Sequence, residues 1–496
     1  METCRIEFVN QNVTVEAKRG KTLLEVEIEA GFMPDAPCGG KGTCGKCKVK
    51  ANGKTVSACQ CLIQEDMTVV MKEKEKGEQI LLFGASRPVE FWPGIIPYEV
   101  ERPLLAAVDL GSTSIVAYLL DGENGKLLGT RSMLNPQRQY GADVVMRSSY
   151  ALENGAEALS SCAREAVNTL LREAACESGR SREEIVRVVM VGNTCMHHLF
   201  LEIPTDTLVL APYEPKVKEA VAMRADQCGL MVHPAARLLW LPNIGGFVGA
   251  DTVGCMLAAG FDELDELTLL VDIGTNGEMV LGDRRGMTAC STAAGPAFEG
   301  AKITCGMRGG EGAIDHVWLE GEKLKYHVIG GVEPVGICGS GLLDAAACFL
   351  KMGFMDSSGK LSETWYFTPK VFINQKDMRE LQLAKAAIAA GIYLLCRHRG
   401  VSLDEIKKVQ LAGAFGNYLN PASACAIGLV PRELEERICS VGNAAGMGAQ
   451  IAAVNTDEFE RGKKLAARTE FLELAMDPEF QDAYVDELEF PEGGED

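Results

Sequence analysis

The sequence predicts two units of different construction. A small α+β domain is wound round a cysteine loop, and a large α/β domain follows that is made of two duplicated halves. Three observations carry this. Residues 38–47 read Cys-Gly-Gly-Lys-Gly-Thr-Cys-Gly-Lys-Cys. The phrase Val-Asp-Leu-Gly-Ser-Thr at 108–113 returns as Val-Asp-Ile-Gly-Thr-Asn at 271–276, an internal repeat at domain-scale separation. Between the two patterns lies a run containing Pro88, Pro93, Pro97 and Pro103.

The cysteine loop comes first. Thiolates bind soft or borderline metals, and four of them suit zinc or an iron–sulfur centre. A structural zinc site usually shows two C-x2-C pairs, whereas this segment has one, Cys44 and Cys47. Gly39, Gly40, Gly42 and Gly45 allow a backbone to wrap closely round a cluster and aim N–H groups at its sulfides. Cys38, Cys44 and Cys47 with a distant fourth cysteine are close to the plant-type C-x4-C-x2-C…C spacing. The distant fourth cysteine is Cys59 or Cys61; a zinc knuckle is the other reading. Around the loop, Ile6, Phe8, Val13 and Val15 alternate about an Asn10-Gln11-Asn12 turn and predict a hairpin. Thr22 opens a helix carrying Leu23, Leu24, Val26 and Ile28, which Gly31 ends. Residues 46–50 and 67–71 predict short strands. Hairpin, helix, cysteine loop and strands in this order resemble the β-grasp fold of [2Fe–2S] ferredoxins, and Ser57-Ala58-Cys59-Gln60 resembles their fourth-ligand segment. Cys4 has no partner at a useful spacing and is expected simply to be packed.

Composition narrows the rest. A chain of 496 residues suits about three domains at roughly 150 residues each. The formal charge of −20 argues against nucleic acid and against anionic membrane surfaces. No apolar run reaches the length of a membrane span, and the N-terminus lacks a signal-peptide pattern. Eighteen cysteines without such a signal point to reduced thiols and a cytoplasmic location. The expected boundaries are 1–80 for the cysteine-loop domain, 81–103 for a semi-stiff linker and 104–455 for the large domain, whose halves are 104–265 and 266–455. Residues 456–475 are expected to be a terminal helix. The last twenty residues hold nine acids and no Lys or Arg, which predicts a solvated tail.

In the large domain, Leu104–Asp109 predicts a buried strand, and Gly111, Ser112 and Thr113 a tight turn into a second strand. Thr268–Asp272 with Gly274, Thr275 and Asn276 repeats the pattern. Such hairpin turns present N–H and hydroxyl donors to phosphate oxygens. Asp109 and Asp272, closing the two strands, can hold Mg2+ directly or through water. Gly413, Ala414, Phe415 and Gly416 form a glycine turn after the helix predicted over 383–397, and such a turn can lie against an adenosine. Gly339, Ser340 and Gly341 open a helix and offer a further anion site. Glu299, in Ala-Gly-Pro-Ala-Phe-Glu-Gly, is a candidate for orienting an attacking water, or a first-turn glutamate. Asp251 is a candidate helix cap, with a γ-phosphate role as the alternative. Asn193 and Thr194 suggest a substrate-side or inter-subdomain turn, and the adjacent His197 and His198 a structural role.

Together these motifs resemble the acetate kinase/sugar kinase/Hsp70/actin superfamily over about 104–455. The implied fold is an actin-like ATPase with two duplicated subdomains, binding ATP and Mg2+. Joined to the ferredoxin-like domain, Leu-Ala-Gly-Ala-Phe-Gly, Val-Gly-Asn-Thr and Ala-Gly-Pro-Ala-Phe-Glu-Gly resemble the ATP-dependent reductive activators of corrinoid enzymes. That resemblance implies a [2Fe–2S] cluster, a corrinoid protein of a methyltransferase system as partner, an upstream electron donor, and ATP-driven return of cob(II)alamin to cob(I)alamin. Whether the chain is a homodimer stays open. A small-molecule kinase with a regulatory cluster and a non-redox ATP-gated chaperone are the alternative functions. Some relatives carry an additional middle domain; Leu104 starts the ATPase fold so soon that this domain is expected to be missing.

Overall fold

The computed structural model describes residues 3–11, 13–30, 32, 34, 40, 42, 47–71, 80–94, 100–211 and 213–492. Cys38 and Cys44, Gly31, Gly39, Gly45 and Pro97 therefore lie outside the described residues, as does the whole charged run at 72–77.

In the N-terminal unit, Thr3–Phe8 alternates outward and inward, burying Cys4, Ile6 and Phe8, so Cys4 is a core thiol as expected. It pairs antiparallel with Val13–Lys18, Phe8 facing Val13, and parallel with Met67–Val70. Lys48–Ala51 and Lys54–Ser57 complete a five-stranded sheet. The helix Leu23–Glu29 starts at a reciprocal cap: Glu25 N–H donates to Thr22 Oγ1 at 3.2 Å, and Thr22 N–H to Glu25 Oε2 at 2.6 Å. On its inner side sits an anomaly. Glu27 is 0 % exposed and neither carboxyl oxygen has a hydrogen-bond partner. Burial pushes its acid up to about 8.

The large unit is built twice from one plan. Leu104–Leu110 pairs antiparallel with Ser114–Asp121, which pairs with Leu127–Leu134. On its other edge it runs parallel to Ile185–Gly192, itself parallel to Arg237–Trp240. The second half repeats each step: Thr268–Ile273, Gly277–Asp283 and Gly286–Thr292 form the meander, with Lys408–Ala412 and Ile438–Gly442 parallel beside it. The central strands read as continuous apolar runs because helices cover both faces. Glu157–Glu177 and Ala444–Val454 pack on the first sheet, Gln375–Arg399 on the second. The helix expected over 383–397 starts eight residues earlier, where Asn374 caps it with donors from Lys376 and Asp377.

The chain's connections are held closely, and residues 81–94 run along the large unit. Asn443 N–H donates to Phe83 O at 3.0 Å, Ala85 N–H to Val441 O at 2.8 Å and Trp92 N–H to Val454 O at 2.9 Å. Arg87 pairs with Glu458. The segment thus borrows backbone partners from the second half's last strand and helix. The terminal helix also stops at Arg468, and Thr469–Phe471 joins the second sheet parallel to Gly286–Thr292.

The acidic C-terminus is likewise no solvated tail across its described part. Phe480–Asp486 is helical and packs on Gln375–Arg399. Gln382 Nε2 donates to Leu488 O at 2.6 Å, and the buried Lys385 ammonium donates to Glu489 O. Phe490 is 2 % exposed in the second core. The acid count hid the apolar anchors among them, Phe480, Tyr484 and Phe490.

Phe490→Ala should therefore lower the stability of the large unit by about 3 kcal/mol, seen as a reduced denaturant midpoint. Glu27 makes a second prediction. Its folded acid is raised above the ordinary 4.5, to about 8, so the folded chain binds more protons than the unfolded one between those pH values. Stability of the small unit should fall as pH rises through that window, by roughly 3–5 kcal/mol in all. Glu27→Gln should flatten this slope, measured as urea midpoints of the visible absorption at pH 5 and pH 8.

Candidate functional site

The two halves meet at a cleft of about 500 Å3. Gly111, Ser112 and Thr113 from the first hairpin face Gly274, Thr275 and Asn276 from the second. The turns are tight because Gly111 N–H donates to Ser114 O at 3.0 Å, and Gly274 N–H to Asn276 O at 2.9 Å. The first is braced from outside by Asn193 Nδ2 to Ser112 Oγ at 2.7 Å and by Asn135 Nδ2 to Gly111 O at 2.8 Å. Asn193 therefore braces the first hairpin from within its own half, while Thr194 is buried and donates to Gly245 O at 2.7 Å.

Carboxylates cluster at the cleft. Asp109 and Asp272 end the two central strands, and Asp251 and Glu278 join them. Burial pushes Asp109 up to about 7, opposed by the amide of Asn443 and reinforced by the charge of Asp272. Burial alone lifts Asp272 to about 6. Burial and then the neighbouring carboxylates raise Asp251 and Glu278 as well. Four such acids cannot all stay ionised near neutral pH without a cation. Among the described residues no three of them converge into a ready cage. Mg2+ needs none, because it keeps water and is held by one or two carboxylates together with phosphate oxygens. Asp251 does not cap its helix: Gly249 occupies that position in Ala250–Ala259, and Asp251 Oδ1 accepts from Thr252 N–H at 2.8 Å.

Glu299 sits where the halves touch. Its Oε2 accepts from Thr113 Oγ1 at 2.8 Å and its Oε1 from Thr275 Oγ1 at 2.5 Å, so one carboxylate joins both hairpins. Arg308 approaches the same Oε2 at 3.6 Å. The glycine turn closes the far wall. Gly413 has φ of 82°, and a Cβ there would stand 2.5 Å from Asp272 Oδ1; only glycine lets this turn lie against the aspartate. Phe415 stacks on Phe298 with centroids 4.5 Å apart. Gly339 and Ser340 reach the cleft from the start of the helix Gly339–Lys351. Gly341 and Gly416 are not among the described residues that line it; Gly341 instead allows close approach to Ile314 O, and Gly416 packs on Leu411. The donors, carboxylates and volume fit a nucleoside triphosphate with Mg2+. His197 and His198 are buried and structural: Asn243 Nδ2 lies 2.9 Å from His197 Nδ1, and His198 Nε2 accepts from Lys216 N–H at 3.1 Å. Burial holds both below the ordinary histidine range.

In the small unit, Cys47 Sγ and Cys59 Sγ lie 3.3 Å apart and buried, while Cys61 is partly exposed. Two buried thiols this close fit neighbouring ligands of one centre, which favours Cys59 over Cys61. Gln60 covers them, Nε2 reaching Gly40 O at 3.3 Å, and a Cβ on Gly42 would strike that side chain at 2.8 Å.

Sequence reading missed Glu278, Arg308 and Asn443, and the cleft-lining Ile80 and Leu81. Glu278 lies in the strand after the Gly-Thr-Asn turn, and Asn443 follows a β-strand as an ordinary helix cap. Neither position has a signal of its own until the second half folds onto the first.

Comparisons with known proteins agree with this architecture. Residues 7–82 match the 2Fe–2S iron–sulfur cluster binding domain, 104–264 the RACo middle region and 266–496 the C-terminal domain of RACo, the ASKHA domain. The middle region is therefore represented, on the residues read as the first ATPase half, and the expectation that it is missing is corrected. The chain is 31 % identical to the corrinoid activation enzyme RamQ of Eubacterium limosum, covering 97 % of this chain and 98 % of that protein. It is 26 % identical to a [Co(II) methylated amine-specific corrinoid protein] reductase of Methanosarcina barkeri, over 77 % of this chain and 76 % of that one. A solved reductive activator for corrinoid, iron–sulfur protein superposes with a TM-score of 0.72 at 28 % identity, covering 99 % of each chain. A ferredoxin-like [2Fe–2S] domain thus precedes an actin-like ATPase that binds ATP and Mg2+, and the chain belongs to the RACo family, to which its similarity to RamQ extends over almost its whole length.

Proposed function

We propose that this chain is an ATP-dependent reductive activator of a corrinoid protein in a methyltransferase system. The observation that carries the reading is the union, in one chain, of a paired-thiol cluster domain with a cleft in which two phosphate-type hairpins face each other across Asp109 and Asp272. A [2Fe–2S] cluster there would supply one-electron storage. Cys38, Cys44, Cys47 and Cys59 hold it, fed by an upstream electron donor. The partner's cobalt gains one electron, Co(II) becoming Co(I).

The protein's own groups divide the labour at the cleft. Gly111, Ser112, Thr113, Gly274, Thr275 and Asn276 grip the phosphates, and Asp109 and Asp272 face the Mg2+. Gly413 and Phe415 receive the adenosine, and Gly339 and Ser340 add donors from a helix start. Glu299, fixed by both threonines, orients the attacking water and accepts its proton. Hydrolysis then lets the halves reopen, a two-state element of the hinge type.

Under anoxic conditions, a candidate corrinoid protein mixed with this chain should show the cobalt(I) spectrum only when ATP is added. Asp272→Ala should cut ATP turnover at least a hundredfold and leave the visible cluster spectrum intact; Cys47→Ser should do the reverse. Equal cobalt reduction without nucleotide, or wild-type turnover by Asp272→Ala, would overturn the reading.

A further inference from the structure

Asn443 touches three things at once. Its Nδ2 lies 2.9 Å from Asp109 Oδ2, 3.2 Å from the Tyr118 hydroxyl oxygen and 3.4 Å from Leu81 O. The Tyr118 hydroxyl donates its own proton to Leu82 O. Leu81 and its neighbour Ile80 belong to the segment that follows the ferredoxin-like domain, and both line the nucleotide cleft. The end of the tether is thus part of the cleft's wall.

The amide cannot satisfy everyone. An Asn side chain has two N–H donors, and three acceptors compete for them. Its position is fixed meanwhile. Oδ1 accepts from Gly446 N–H at 2.8 Å, capping the helix Ala444–Val454, and the backbone N–H of Asn443 donates to Phe83 O. Gly84 packs so closely that a Cβ there would stand 2.4 Å from Val441 O. Asn443 and Tyr118 are both buried, Tyr118 at 0 % exposure.

We infer that Asn443 is a positioning residue that couples the cleft to the tether, its amide being divided between Asp109 and the main chain of residues 81–82. A cation-bound nucleotide occupies the Asp109 carboxylate and frees an N–H for Leu81 O, so a filled cleft holds the tether more tightly. An emptied cleft takes that N–H back. Tyr118 relays the same state to Leu82. This deepens the proposed function and rests on it, since it supplies the physical link by which nucleotide state reaches the cluster domain.

Tyr118→Phe in the full-length, cluster-loaded protein separates the roles. It removes the bond to Leu82 O and one acceptor of Asn443 while keeping the buried ring. Trypsin sites at Lys72, Lys74 and Lys76 lie just before the tether. In the wild type, a non-hydrolysable ATP analogue with Mg2+ should slow cleavage there at least fivefold. In Tyr118→Phe that protection should vanish, ATP turnover should stay within twofold, and ATP-dependent cobalt reduction should fall at least fivefold. Asn443→Ser should lose the protection too, providing a second route if the first variant is poorly folded. Unchanged protection in both variants, or no protection in the wild type, overturns the coupling. Proportional loss of turnover and reduction in Tyr118→Phe overturns it as well. Wild-type cobalt reduction that needs no ATP overturns the functional reading instead, whatever the cleavage pattern shows.

Discussion

Two strands, one from each half, end in aspartates that meet in the same buried cleft, and the large unit is arranged around that confrontation. Burial raises both acids, the charge of Asp272 raises Asp109 further, and the same carboxylates lift Asp251 and Glu278 beside them. Like charges this close are tolerated only if protons or a cation intervene. The fold could have avoided the cost with apolar side chains, as it does along the rest of both strands. Retaining four acids in the cleft between the halves makes sense as a seat for Mg2+ and phosphate.

The same geometry explains why Glu299 is held as it is. It takes one hydroxyl from each hairpin, so it measures the gap between the halves. A phosphate entering between the hairpins competes for those hydroxyls. Closure round the nucleotide and the orientation of Glu299 are then set by the same two threonines. A change of a few tenths of an ångström in the separation of the halves is felt at a carboxylate that accepts 2.5 Å and 2.8 Å hydrogen bonds.

Much of this was legible in the sequence, for a physical reason. Phosphate turns depend on short local patterns, and Val-Asp-Leu-Gly-Ser-Thr and Val-Asp-Ile-Gly-Thr-Asn carry their geometry within six residues. The capping box at Thr22 and the alternation of Ile6 and Phe8 are equally local. What escaped depends on distant partners. Asn443 looks like any helix cap until the strand before it runs beside residues 83–85. The C-terminal acids looked solvated because composition outweighed three aromatic anchors whose pocket lies a hundred residues earlier, at Gln382 and Lys385. The proline-rich run suggested stiffness, yet only the folded surface reveals the carbonyls and N–H groups at 441–456 that bind residues 83–92. Glu27 was invisible because a glutamate in an amphipathic helix normally faces water.

Energy decides what nucleotide control of this kind can accomplish. Coupling between two sites is typically worth 1–3 kcal/mol, about 5–150-fold in an equilibrium. For one electron, tenfold is about 59 mV, so coupling of that size corresponds to roughly 40–130 mV. An amide shared between Asp109 and the tether therefore lacks the strength to reset a cluster potential by several hundred millivolts. It has ample strength to change how often a tethered domain is presented, because populations respond to single kilocalories. The consequence is a division of labour. On the coupling inferred above, nucleotide state would govern how often the cluster domain is presented, and the uphill part of the electron's path would have to be met by something other than the shared amide. A cleft wall that includes the end of the tether suits the first task, and the work of ATP enters through position before it enters through potential.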